Sequence, residues 1–136
     1  MKCSLCMEAK LEDRYICQTR HTFCIVAKWP LKEGHILVLP KRHVINFSEL
    51  SKEESKELFD EVDKMENILR RIYKEDIVVH VNRGKHSSQR HIHIHLIPLK
   101  AGLRQLVAHL EHIPEKKGIS ANKMIQMQKK IKSRLV

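Results

Sequence analysis

Apolar residues fall along this chain in two different periods. "RYICQT" (Arg14 to Thr19) and "TFCIVAK" (Thr22 to Lys28) are short runs rich in β-branched and aromatic residues, parted by only Arg20 and His21, the spacing of a hairpin. "GHILVLP" (Gly34 to Pro40) is a third strand, closed by its proline. The period then changes. Leu58, Phe59, Val62, Met65, Leu69 and Ile72 recur at steps of three and four, which predicts a helix over about Lys52 to Tyr73. Ser51 with Glu54 gives that helix a capping box: the hydroxyl accepts from the amide at the third helical position and the carboxylate reaches back to the cap amide. "DIVVHVN" (Asp76 to Asn82) reads as a fourth strand and, after the polar loop "RGKHSSQR", His91 to Ile97 reads as a fifth. Past Ala101 and Gly102, "LRQLVAHLEHI" suits a short helix, Pro114 to Gly118 interrupts it, and Ser120 caps a last helix to about Lys132. The order β-β-β-α-β-β, with short connections between strands, predicts an α+β domain. Its sheet is five-stranded and largely antiparallel, with one long helix packed on it and C-terminal helices beyond.

Composition narrows this picture. At 136 residues and 16.0 kDa, a single domain with a proper core is expected. Aromatic residues are 4% of the chain, so that core must be built from Ile, Leu and Val. The net charge of +10 is uneven: residues 99–136 hold nine Lys/Arg against two Asp/Glu. The chain therefore divides into a core over 1–98 and a basic extension over 99–136, expected to be helical and packed on the same domain. A basic tail serves anionic partners such as nucleotides or nucleic acid, or else is a solvated, solubilising helix. No stretch suits a membrane span and "MKCSLCMEAK" lacks the apolar segment of a secretory signal, so a cytoplasmic protein is the default. In that setting the four cysteines are thiols or metal ligands.

The unusual chemistry lies in "HIHIHLIP", His91 to Pro98. On a strand, His91, His93 and His95 share one face, while Ile92, Ile94 and Leu96 share the face toward the long helix. Three readings compete. The histidines could be the wet side of an edge strand, though lysine, threonine or glutamate would serve there. They could hold one metal ion, but at ~3.3 Å per residue His91 and His95 stand ~13 Å apart, and zinc wants its nitrogens at ~2.0–2.1 Å. Or they could divide tasks along a bound phosphate chain, the middle imidazole attacking phosphorus and its neighbours stabilising charge.

These residues resemble the histidine triad superfamily of nucleotide hydrolases and transferases. "HIHIHLI" matches its His-φ-His-φ-His-φ-φ signature (φ apolar). "WPLKEGHILVLPKRHV" (Trp29 to Val44) is similar to the segment in which a Gly-His pair opens a strand ending at Pro-Lys-x-His. "NRG" (Asn82 to Gly84) resembles the Asn-x-Gly before the triad loop, and "CSLC" resembles the zinc-binding members. The resemblance covers roughly Cys3 to Pro98 and implies a histidine-triad-like fold. It implies that His93 attacks the α-phosphorus of a nucleotide derivative to give a nucleotidyl-histidine, its other nitrogen donating to the carbonyl of His91. It places His95, His35 and Ser88 beside the phosphate and leaving group, with Asn82, Ser87 and Gln89 in substrate binding. It assigns Cys3, Cys6, His43 and His91 to a structural zinc ion, a closed Cys2His2 set. Cys17 and Cys24, inside strands, read as small buried hydrophobes.

The chain departs from the family pattern at Ala27, where hydrolases carry the Asp or Asn that holds the ribose hydroxyls, and at Ser87, where many carry Gln. "SQRHIH" also resembles the phosphorylase branch, but His95 keeps the hydrolase form. The expectation is a zinc-stapled, homodimeric hydrolase that cleaves dinucleoside polyphosphates or nucleoside phosphoramidates at the α-phosphorus. The alternatives are a hydrolase of adenylated nucleic-acid ends served by the basic tail, a nucleotidyltransferase or phosphorylase, and a non-catalytic nucleotide-binding module.

Overall fold

The structure is a computed structural model that describes residues 3–84, 89–116 and 118–135. The elements run α1 (Ser4–Glu8), β1 (Tyr15–Gln18), β2 (Thr22–Val26), β3 (Ile36–Pro40), α2 (Lys52–Tyr73), β4 (Asp76–His80), β5 (Ile94–Leu99), α3 (Leu103–Glu111) and α4 (Ala121–Lys132). The chain forms two compact units, 1–102 and 103–136. In the first, five strands form one sheet in the order β1-β2-β3-β5-β4 with every pairing antiparallel. The second unit holds α3 and α4 and, among its described residues, all the apolar ones apart from Ala108 are exposed. Among the described residues no helix is long and apolar enough to cross a membrane.

Period-two alternation gives the sheet two different faces. Cys24, Ile36, Val38, Ile94 and Leu96 point to the side covered by α2, where they pack with Leu58, Val62, Met65 and Leu69. Phe23, Ile25, Ala27, Leu37 and Leu39 point to the other side, where Leu5 and Ala9 cover them. Helix α2 has the predicted bounds and the predicted capping box: Glu54 N donates to Ser51 Oγ at 3.1 Å, and Ser51 N donates to Glu54 Oε2 at 2.8 Å. The stripe itself differs from expectation. Phe59 and Ile72 stay 52% and 62% exposed, while Glu54 and Glu61 take buried positions on the same face. Both glutamates are tethered, Glu54 by the cap and by Arg42, Glu61 by Lys64, which is how a carboxylate is held at a core position.

The fifth strand also differs. It begins at Ile94 and not at His91, because Ile92 N donates to Val44 O at 2.9 Å and the chain before Ile94 leaves the β3 ladder. At the opposite end of β3, Gly34 has φ +88°, and a Cβ there would fall 2.5 Å from Tyr73 Cε2. Only glycine fits that turn, and it delivers His35 to the first position before β3.

Candidate functional site

The sheet face opposite α2 carries the histidines. His91 and His93 precede β5 and are 1% and 3% exposed; His35 precedes β3 and is 4% exposed; His95 lies within β5 beside Leu37 of β3. The tautomers follow from the contacts, because a carbonyl can only accept, an amide can only donate, and each neutral ring carries one N–H. A carbonyl can only accept, so His93 Nδ1–H donates to His91 O at 2.7 Å, and Nε2 carries the lone pair of the neutral ring. An amide can only donate, so His35 Nδ1 accepts from Leu31 N at 3.0 Å. His35 Nε2–H then donates to His95 Nδ1 at 2.8 Å, which leaves the His95 proton on Nε2. The His93 and His95 rings meet edge-on at 4.9 Å.

Burial, then the neighbouring His93, His80 and His35, press the pKa of His95 down to about 3; burial, then His80, lowers that of His35. Both rings are therefore neutral hydrogen-bond donors in the free protein near pH 7. One histidine here carried no signal in the sequence beyond its place in a strand. His80, at the end of β4, stacks flat on His95 with ring centroids 4.5 Å apart and an interplanar angle of 6°. The register pair His80 with His95 could have revealed it, once the β4–β5 pairing was known.

Two clefts meet at His93. One, of about 480 Å³, is lined by Asn46, Asn82, Arg83, Gln89, Arg90 and His93. The other, of about 360 Å³, is lined by Arg14, Ala27, Trp29, His35, Gln89 and His95, and it too reaches His93. Asn82 and Gln89 thus border the histidine site. Ser87 and Ser88 lie outside the described residues. Ala27 presents no carboxylate to its cleft, although Glu8 of α1 lines the same cleft and ion-pairs there with Arg14 and Lys28.

Behind His93, Cys3, Cys6, His43 and His91 converge so that one ligand atom from each lies within 4.8 Å of the others. Cys6 Sγ stands 3.3 Å from His91 Nδ1 and 3.5 Å from His43 Nδ1, and Cys3 Sγ stands 3.6 Å from His91 Nδ1. A tetrahedral zinc ion with bonds of ~2.3 Å to sulfur and ~2.05 Å to nitrogen sets its ligand atoms about 3.6 Å apart, so the residues fit a metal ion as they stand. His91 Nε2–H donates to Pro40 O at 2.9 Å, which turns the Nδ1 lone pair toward the sulfurs. Its pKa is lowered to about 4, by burial first. The Cys6 thiol is pushed up to about 11, first by burial and then by Cys3, so a cation must displace its proton. His43 follows Arg42, whose guanidinium holds Glu54 at 2.8 and 2.9 Å, so the cap of α2 anchors the turn carrying this ligand.

A family model described as the HIT domain matches residues 8–102. The nitrilase and fragile histidine triad fusion protein NitFhit of Caenorhabditis elegans is 31% identical over 123 residues, covering 84% of this chain and 28% of that protein. A bis(5'-adenosyl)-triphosphatase of Dictyostelium discoideum is 34% identical over 85 residues, covering 60% of this chain and 57% of that one. The chain thus spans between about a quarter and somewhat over half the length of these relatives. The crystal structure of a HIT family member from Bacillus subtilis superposes with a TM-score of 0.73 at 20% identity, covering 100% of this chain and 99% of that one, a likeness of fold.

Proposed function

The chain belongs to the HIT domain family, and we propose that it hydrolyses dinucleoside polyphosphates or nucleoside phosphoramidates at the α-phosphorus, through a nucleotidyl group carried on His93. The observation that carries this reading is the hydrogen bond from His93 Nδ1–H to His91 O at 2.7 Å. It holds the Nε2 lone pair as the only nucleophile of a neutral ring. Nε2 attacks phosphorus, and the bond from phosphorus to the leaving phosphate or amine breaks. Water then breaks the P–N bond, which frees the mononucleotide and regenerates the imidazole. His95, with its proton on Nε2, donates to the phosphate or the departing atom, and His35, whose one N–H goes to His95 Nδ1, holds that tautomer from behind. The resemblance assigns Ser88 to the leaving group and Ser87, Asn82 and Gln89 to the substrate. The two clefts meeting at His93 suit a substrate with a group on each side of the scissile phosphorus, and Arg83 and Arg90 suit its phosphates. The named activity of the Dictyostelium relative supports the dinucleotide class.

Cys3, Cys6, His43 and His91 would hold Zn2+ as a closed structural ion that clamps the N-terminal segment to the sheet. The family implies a homodimer, which sedimentation of the purified chain would test. His93→Ala is expected to lose activity by roughly a thousandfold or more. Quenched wild-type enzyme given labelled dinucleotide is expected to carry an acid-labile label on His93. Turnover by His93→Ala near the wild-type rate would sink the mechanism, and release of nucleoside diphosphate only when phosphate is added would point to phosphorolysis.

A further inference from the structure

Three groups able to ligate a metal converge a second time, on the sheet face covered by α2. Cys17 of β1 and Cys24 of β2 are direct partners across the hairpin, and Glu61 of α2 lies over both. Glu61 Oε2 stands 3.7 Å from Cys24 Sγ and 4.0 Å from Cys17 Sγ, and the three ligand atoms all lie within 4.8 Å of one another. A tetrahedral ion with sulfur at ~2.3 Å and carboxylate oxygen at ~2.1 Å sets sulfur and oxygen about 3.6 Å apart and two sulfurs about 3.8 Å apart. The two oxygen-to-sulfur spacings, 3.7 and 4.0 Å, lie within about 0.4 Å of that geometry, and the two sulfurs lie within 4.8 Å of each other.

Core packing does not account for this set. Glu61 is 7% exposed on a helix face shared with Leu58, Val62 and Met65, where leucine would pack without the cost of burying a charge. The thiols are weak donors and return little of that cost. Among the described residues the cation paired with Glu61 is Lys64, whose side chain is 53% exposed and which meets both oxygens from the outer side at 3.2 and 3.3 Å. Lys64 can keep Oε1 while Oε2 turns to an ion.

We propose that Cys17, Cys24 and Glu61 form a second metal site, for a thiophilic divalent cation of the Zn2+ or Cd2+ class, with the fourth position left to water. Binding replaces the two thiol protons, which leave to solvent. The ion would tie the β1–β2 hairpin to α2, on the opposite side of the sheet from His93.

The test is titration of the full chain with Cd2+, reading the sulfur-to-cadmium absorbance and the bound metal after dialysis. Wild type is expected to saturate at two ions per chain, and Cys17→Ser/Cys24→Ser at one. Glu61→Gln, which keeps shape and both thiols, is expected to weaken the second ion by roughly tenfold or more and covers the case where the double variant does not fold. Saturation of wild type at one ion, or a second ion held as tightly in either variant, overturns the site. His93→Ala is expected to bind both ions, so a failed hydrolase mechanism leaves this result intact.

Discussion

His80 and His95 present their rings face to face, and this contact makes a specific claim about His80. His80 holds the plane of His95 from one side while His35 holds its Nδ1 from another. A stacked pair of this kind contributes about 0.5–1.5 kcal/mol, up to roughly a tenfold effect on rate where orientation matters. His80→Ala is expected to lower kcat by several-fold to about tenfold with KM little changed, and His80→Phe, which keeps the stack, to restore most of it. Equal losses in the two variants would mean that the His80 nitrogens act directly. The same cluster sets a pH dependence. The folded pKa of His95 lies at about 3, well below the unfolded value of about 6.5. Below about pH 6.5 the unfolded chain therefore takes up a proton that the folded chain refuses, and stability falls as pH drops. The slope from this ring is at most about 1.4 kcal/mol per pH unit. Urea midpoints of wild type and His95→Gln between pH 7 and 5 check this: the wild-type midpoint is expected to fall more steeply.

Among the elements, the two turns that enter β3 and β5 matter more than the strands themselves. Gly34 lets the chain bend at φ +88° where Tyr73 and Pro98 leave no room for a Cβ. Gly34→Ala is expected to cost about 2 kcal/mol or more, from the left-handed conformation and the displaced ring together, and to lower activity through His35. Denaturant midpoints measure the first effect and kcat the second. The residues before β5 leave the ladder so that His91 can turn its Nδ1 to the cysteines while its carbonyl accepts from His93 Nδ1–H. One residue thereby links the proposed metal ligands to the proposed nucleophile. Helix α2 is secured by its capping box, and Ser51→Ala is expected to cost about 1 kcal/mol in the same assay.

At the scale of the molecule, the sheet separates two chemistries, with the histidines and the N-terminal cysteines on one face and Cys17, Cys24 and Glu61 on the other. Chelation is expected to remove about one zinc per chain from the N-terminal set and to lower Tm by several degrees, because binding energy at a site absent from the unfolded chain is folding energy. Cys3→Ser/Cys6→Ser should show the lowered Tm without chelator, and an equally stable apoprotein would remove the clamp. The basic second unit offers a different test. Lys129, Lys130 and Lys132 are exposed on α4, and their joint replacement by Glu in the full chain separates two substrates. Loss of activity on an adenylated oligonucleotide but not on a free dinucleotide would favour nucleic-acid ends.

Local pattern alone determined that there are five strands, the bounds and cap of α2 and the identity of the histidine row, because periodicity and capping act over a few neighbouring residues. The resemblance added the residues to be gathered around phosphate and metal. Tertiary structure decided what depends on partners distant in sequence. It ended the β5 ladder at Ile94, since the Val44 carbonyl claims the Ile92 amide. It brought His80 onto His95 through the β4–β5 register. It left Cys17 and Cys24 packed with the core, as read from the sequence, and set Glu61, 37 residues beyond Cys24 on another element, over both. None of these follows from spacing along the chain, because each rests on which backbone and side-chain groups meet after the sheet has formed, and hydrogen bonding and ligation act only over a few ångströms.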